Sequence, residues 1–451
     1  MTDTEAADRF RHQCTSAGVH TVEVAIGDTQ GHLRGKRVPV ERFFSTVATA
    51  GVAIADAIFV MDAQDDLTDN PYINMDTGYL DCSLIPDLST GRVLTHRPGY
   101  AIVFTDVFDE HGQPHELSPR RVLATQIERC RGLGYEPVAA TELEFYLCGD
   151  GWTPVQNHIK YSSLTDAVAL EECIADMRAG LGGAGLEVES SNAEYGPGLI
   201  EVNIAYTDAM TAADEAVLFK SIVKQVAVSH GMQATFMPKL WADQSGSGMH
   251  VHTSLNSGLD SGGANAFADS DGAPNELMSH WLAGLLEHAR SISLLGSPTD
   301  NGAKRVRPYT FAPTHVHWGG DNRTVLARCI TEAGSPANRV EFRSGGADAT
   351  AHLIIAGVLA AGCDGLERSL EPPPMSTGDM YTNPGDCAPL PATLADAIAA
   401  YEGSALAGML GETFSTNYLC TAKHELSLAT ENSPDPDNVN DWERARLAAH
   451  C

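Results

Sequence analysis

The segment Thr141-Glu142-Leu143-Glu144-Phe145-Tyr146-Leu147 has the alternation of a strand, and in an extended chain Glu142 and Glu144 point to the same face. Two carboxylates held side by side repel unless a cation lies between them. A fold containing this strand therefore leaves the pair in water or builds a cation site on it. Surface strands also carry such pairs without a ligand, so the rest of the chain has to decide.

Four further patterns bear on that choice. In Ser245-Gly246-Ser247-Gly248-Met249-His250-Val251-His252 the glycines permit close backbone approach, and both histidines share one strand face. In the strand candidate Arg339 to Phe342, Arg339, Glu341 and the following Arg343 face one side, with Val340 and Phe342 on the other. That face fits a phosphate-rich ligand with a metal, or an ion-pair ladder. Glu194 and Glu201 flank the turn Tyr195-Gly196-Pro197-Gly198. Finally, Lys304-Arg305-Val306-Arg307-Pro308 and the run from Asp321 through Arg323 to Arg328 concentrate arginines in a chain of formal net charge −30, which points to an anionic substrate. Together these acidic residues, a histidine and the arginines describe a site for magnesium and a nucleoside triphosphate. A glycine-rich phosphate loop ending in Gly-Lys-Ser/Thr is absent from the sequence, so side chains and metal ions must hold the phosphates.

The charge balance excludes duplex nucleic acid and anionic membrane surfaces as partners. The longest apolar stretch, Leu353 to Gly362, has ten residues, short of the roughly 18 a spanning helix needs. The acidic N-terminal segment has no apolar core of a signal peptide, and the ten cysteines form no C-x-x-C pair. The expectation is a cytoplasmic protein with reduced thiols.

Along the chain, the first hundred residues read as strands and turns, with a hairpin from Thr21 to Ile26 and from His32 to Val40. The polar run 109–115 is a boundary, dividing the chain at 1–115 and 116–451. Ser118-Pro119 then opens a helix as N-cap and first position, ending near Gly132 and Gly134. Further strand candidates are Val138 to Leu147, Leu199 to Tyr206, Ala234 to Leu240 and His250 to Leu255; helix candidates are Thr211 to Ser229, Glu276 to Leu294 and Thr350 to Leu370. Asn256 to Asp271 reads as a surface loop and residues 371–391 as a proline-rich connector. The tail is left unassigned.

In order and over almost the whole chain, these motifs resemble the glutamine synthetase superfamily. The resemblance implies an α+β fold: a small N-terminal β-grasp domain, then a large catalytic domain whose curved sheet forms the active-site funnel. It also implies homododecamers of two stacked hexameric rings, with each site at a subunit boundary. Carried across by position, one metal site would use Glu144, Glu194 and Glu201, and the second Glu142, His250 and Glu341, for two to three Mg2+ or Mn2+ ions. Arg323, Arg328 and Arg339 would meet phosphate oxygens of ATP. His252, Ser254 and Tyr206 match nucleotide-side positions. Arg305 and Arg343 would hold the glutamate carboxylates, with Gly246 supplying backbone contact and Tyr161 and Glu194 near the amine site.

Departures from the family pattern bear on the nucleophile. Ammonia-using members carry P-G-Y-E-A-P in the flap over the site; here it is Pro308-Tyr309-Thr310-Phe311-Ala312-Pro313, with Phe311 at the glutamate's place. A phenyl ring accepts no proton but can pack against an alkyl chain or face a cation. Ser245 replaces an asparagine, and the N-terminal D-G-S-S motif is absent, with Asp62, Asp65 and Asp66 in roughly that region. These changes resemble the γ-glutamylpolyamine and γ-glutamylethanolamide synthetases, which begin amine catabolism. The resemblance thus implies an ATP-dependent ligase joining the γ-carboxylate of glutamate to a small organic amine. The rival readings are an ammonia-using glutamine synthetase and a non-catalytic ring protein. Tyr381 lies near where some relatives carry an adenylylated tyrosine and reads as an ordinary surface tyrosine; His315, His317 and Trp318 follow the flap, where pocket and core roles are equally open.

Overall fold

In the computed structural model, which describes residues 3–156, 158, 161–165, 168–259, 263–268 and 272–451, the chain begins with a helix, Asp3–Ser16. This helix departs from the expectation of strands alone. Its only core-facing residues, Ala6, Phe10 and Cys14, recur every four positions and are all buried. So sparse a stripe is a weak sequence signal. The predicted hairpin follows as β1 (Thr21–Gly27) and β2 (Leu33–Pro39), in register from Thr21 opposite Pro39 to Gly27 opposite Leu33. Asp28 closes its turn: one carboxylate oxygen accepts the amides of Gln30 and His32, and the other accepts Arg34 Nε at 2.7 Å.

Four more strands, β3 (Val52–Ala55), β4 (Asp81–Pro86), β5 (Arg92–Val93) and β6 (Tyr100–Phe108), complete a sheet of order β2-β1-β6-β4-β3, with β5 also on β6. Only β1 and β6 pair in parallel. Side-chain alternation gives this sheet two apolar faces. Val22, Val24, Ile26 and Val103 pack with Phe10 and Phe43 in one cluster, while Ala25, Ile102 and Phe104 join the main core. The helix Pro119–Gly132 starts as predicted, but Ser118 makes no side-chain capping bond; its hydroxyl is buried and unpartnered.

The second sheet is built around β7 (Tyr135–Gly149), fifteen residues long. The other strands are β8 (Thr153–Pro154), β9 (Val188–Ala193), β10 (Leu199–Ile204), β11 (Thr207–Asp208), β12 (Gln233–Thr235), β13 (Met249–Ser257), β14 (Trp318–Gly319), β15 (Ala327–Ile330) and β16 (Arg339–Phe342). Their order is β14-β15-β16-β13-β7-β10-β9, with β8, β11 and β12 also pairing with β7. The strand expected over residues 234–240 is shorter, ending at Thr235; Pro238, with no amide hydrogen, cannot continue a ladder. Of the loop expected over 256–271, residues 260–262 and 269–271 lie outside the described residues.

The apolar face of this sheet, including Leu143, Phe145, Val202, Val251, Val340 and Phe342, packs with the helices Ala209–Ser229, Glu276–Gly296 and Ala351–Arg368 in one core. The last two helices meet so closely that a methyl at Gly284 would stand 2.0 Å from the Ala361 carbonyl oxygen, which only glycine avoids. Among the described residues no helix is long and apolar enough to cross a membrane. All ten cysteines are free thiols, seven of them buried.

The unassigned tail is helical: Leu394–Tyr401, Ala405–Leu410, Glu412–Asn432 and Asp441–Leu447. Thr393, Ser404 and Asn440 accept amide hydrogens at three of the helix starts, Asn440 in a reciprocal capping box with Glu443. Buried Lys304 reaches Glu443 at 3.1 Å and so ties the tail to the segment before the flap.

Candidate active site

Strand register assembles the acidic site. Glu201 on β10 stands opposite Glu144 on β7, and Glu142 on β7 opposite His250 on β13. His252 on β13 stands opposite Glu341 on β16, which in turn faces Arg328 on β15. Directly opposed residues project to the same side of a sheet, so these residues from five strands form one polar surface while their neighbours enter the core. Glu194 joins from the turn after β9, where Asn192 Nδ2 donates to it at 2.8 Å.

The surface floors a cavity of about 760 Å³. It is lined by Glu142, Glu144, Glu194, Glu201, His250 and Glu341, by Arg305, Arg323, Arg328 and Arg343, and by Gly246, Tyr161 and Phe311, all expected from the sequence. Tyr206, His252, Ser254 and Arg339 line an adjoining pocket of about 210 Å³, which shares Glu142 and Asn203 with the first. Arg339 Nε donates to His252 Nδ1 at 3.1 Å, leaving His252 Nε2 to donate to Glu142 at 3.3 Å. His250 Nδ1 lies 2.9 Å from Glu142 and 3.4 Å from Glu341.

Electrostatics divides the carboxylates into two sets. Burial opposes ionisation of Glu341, but Arg343, His250 and His252 outweigh it and hold its carboxyl at about 2. Burial likewise opposes ionisation of half-buried Glu142, but His250 and His252 hold it well below the usual range. The other set lacks such partners. Burial, then the charges of Glu144 and Glu142, push Glu194 up to about 7. Burial and the charges of Glu142, Glu144 and Glu194 push Glu201 up to about 9. Carboxylates forced together without cationic partners are the donors a hard divalent ion takes. One donor atom each from Glu142, His252 and Glu341 also lies within 4.8 Å of the others, so His252 stands beside the same two carboxylates as His250.

Residues 116–445 match the family model for the glutamine synthetase catalytic domain. The chain belongs to the glutamine synthetase family. It is 36% identical over 443 residues to a glutamate–isopropylamine ligase of Pseudomonas sp., covering 95% of each chain. It is 35% identical over 450 residues to a γ-glutamylethanolamide synthetase of Streptomyces coelicolor, covering 96% of this chain and 94% of that protein. Glutamine synthetases are also among the relatives. A solved structure of GmaS in complex with ADP superimposes with a TM-score of 0.84 at 27% identity, covering 97% of this chain and 98% of that one.

The flap of this glutamine synthetase family member is tightly held. Tyr309 and Phe311 both have positive φ, 63° and 60°, a conformation that costs side-chain-bearing residues energy and persists only under external constraint. Arg343 Nη2 donates to the Phe311 carbonyl at 3.4 Å, and Tyr381 donates its hydroxyl to the Ala312 carbonyl at 3.1 Å. Tyr381 is thus half-buried under the flap and not an ordinary surface tyrosine. Nor do all the basic residues near the flap serve the cavity. Lys304 turns to Glu443, and Arg307 to the Pro436 carbonyl and Asp437. His315, His317 and Trp318 line neither pocket; His317 is buried, and Trp318 Nε1 donates to the Pro373 carbonyl. Asp62 pairs with Arg446 at 2.8 Å and Asp65 with Arg34, away from the cavity of their own chain.

Tyr195 was not singled out from the sequence, although its turn was. Its ring stands 6.5 Å from that of Phe311, edge to face, at the cavity wall. Ser245, at the family's asparagine position, donates its hydroxyl to the Tyr195 carbonyl at 2.6 Å and so braces the turn.

Proposed function

We propose that the chain is an ATP-dependent ligase that joins the γ-carboxylate of glutamate to an organic amine through γ-glutamyl phosphate. The observation carrying this reading is a cavity rich in carboxylates and arginines beneath a flap that presents Phe311 where ammonia-using relatives present glutamate. The relatives named as ligases of isopropylamine and as a γ-glutamylethanolamide synthetase support it.

Glu144, Glu194 and Glu201 would hold one divalent ion, and Glu142, Glu341 and a histidine another; Mg2+ or Mn2+ suits this oxygen-rich set. Bound ions would neutralise the triphosphate and polarise the transferred phosphoryl group. Arg339 and His252, beside Tyr206 and Ser254 in the adjoining pocket, suit the nucleotide. Arg323, half exposed at the cavity and 3.8 Å from Asp321, is free to turn toward phosphate oxygens, and Arg328 lies between Asp321 and Glu341 at 2.7 and 2.9 Å.

Arg305 and Arg343 would fix the carboxylates of glutamate. Gly246 fits that role because a methyl there would stand 2.6 Å from the Pro238 carbonyl and 2.8 Å from Arg305 Cγ. The attacking amine must be neutral, and a Glu194 carboxylate oxygen at the cavity wall would take its proton. The small first sheet, with its parallel β1–β6 pair, supports a β-grasp domain over residues 1–115, ahead of a catalytic domain over 116–451. Cytoplasmic double-ring dodecamers belong to the same reading.

The test is release of phosphate from ATP with glutamate and a panel of amines. Faster turnover with some organic amine than with ammonium supports the reading; equal or better turnover with ammonium makes the protein a glutamine synthetase. No ATP consumption with any amine or with ammonium would leave only the non-catalytic ring.

A further inference from the structure

The amine is only a class in the proposed reaction, and the cavity wall narrows it. Tyr195 and Phe311 come from separate elements, the turn after β9 and the flap, and converge at the cavity. Both residues remain about half exposed, at 55% and 51%, so a good part of each is left uncovered by the described residues. Leaving two aromatic faces wet forfeits burial that an apolar group between them would recover. The backbone strain at Phe311, with φ of 60°, and the bonds from Arg343 and Tyr381 to the flap carbonyls hold that ring in place and keep it from collapsing into the core.

Charge narrows the class further. The five carboxylates lining the cavity are Glu142, Glu144, Glu194, Glu201 and Glu341, the cation set itself. The uncharged lining of the same cavity includes Tyr161, Ser162, Ser190, Ser191, Asn192 and Thr310. Four arginines line the same cavity. With those carboxylates engaged by bound cations, a second ammonium group on the substrate would lose water there and face the arginines as like charges. A short uncharged chain meets no such penalty.

Resting on the ligase reading above, we infer that Tyr195 and Phe311 form the amine-substituent subsite, and that the substrate is a primary monoamine with a short, uncharged, mainly alkyl substituent. The reaction balances without further co-reactants: amine nitrogen bonds to the acyl carbon, phosphate leaves, and one amine proton passes to a base. Tyr195 is thereby a specificity-determining residue that acts through its ring and not its hydroxyl.

The experiment measures kcat/KM for propylamine, isopropylamine and 1,4-diaminobutane with saturating ATP, Mg2+ and glutamate. The expected result is a preference of about tenfold or more for the monoamines, the scale of one or two buried methylenes. Tyr195→Ala and Phe311→Ala should each raise the propylamine KM about tenfold, well beyond any change in the glutamate KM, and Tyr195→Phe should restore the wild-type preference. Preference for 1,4-diaminobutane, or alanine variants whose amine preference does not move, would overturn the inference while leaving the ligase reading intact. Turnover with ammonium alone, or with no amine, would overturn both.

Discussion

Tyr381 donates its hydroxyl to the carbonyl oxygen of Ala312 at 3.1 Å, with its ring 5.3 Å from that of Tyr309. Two segments some seventy residues apart are thus joined at the flap that carries Phe311. Tyr381→Phe keeps the ring contact and removes one hydrogen bond, a loss of about 1 kcal/mol. The expected outcome is a rise of roughly fivefold in amine KM, with thermal stability almost unchanged because the site is half exposed. Steady-state kinetics beside a melting curve checks it; an unmoved amine KM would show that the bond does not position the flap.

Glu341 accepts from Arg328 at 2.9 Å and from Arg343, on the face expected to meet the terminal phosphates. Glu341→Ala removes a metal-ligand candidate and leaves both arginines without their shared carboxylate. We expect phosphoryl transfer to fall by on the order of a thousandfold or more, consistent with the charge stabilisation a catalytic metal supplies. ADP formation in the folded variant is the measurement, and retained ATP consumption would contradict the assignment.

Phe311→Glu restores a carboxylate at the flap position used by ammonia-using relatives. Since residue 311 already has a φ of 60°, the exchange adds no new class of backbone strain. The ratio of ammonium to alkylamine turnover should rise at least about tenfold, because a proton acceptor replaces an apolar surface. Equal ratios in variant and wild type would show that nucleophile choice lies elsewhere.

Metal binding should be strongly pH-dependent. Glu194 and Glu201 are pushed up to about 7 and about 9, so below those values the metal-free protein carries protons there that a cation must displace. Affinity for Mg2+ should therefore rise with pH from about 6 to 9, with release of one to two protons per binding event. Calorimetry in two buffers of different ionisation enthalpy measures that number directly. The sign for stability follows from the same shifts. The folded state binds these protons more tightly than the unfolded chain, so metal-free stability should decline as pH rises from the ordinary value of 4.5 up through about 7 for Glu194 and about 9 for Glu201. Excess Mg2+ should remove the decline, and a metal-free melting temperature that rises across this window would be inconsistent with the shifts.

The pleat of a strand is local, and spacing of two therefore reveals which residues share a face. Glu142 with Glu144, His250 with His252, and Arg339 with Glu341 and Arg343 were legible on that basis, as was the flap substitution at Phe311. Strand pairing is not local. Glu142 and His250 touch across 108 positions of chain, and a slip of one residue in that pairing would turn the histidine into the core. Only the assembled sheet decides that both His250 and His252 stand beside Glu142 and Glu341, that Lys304 turns away to Glu443, and that Tyr195 meets Phe311. Chemistry was written in residue types and short spacings; partnership came from long-range packing, which no short spacing encodes.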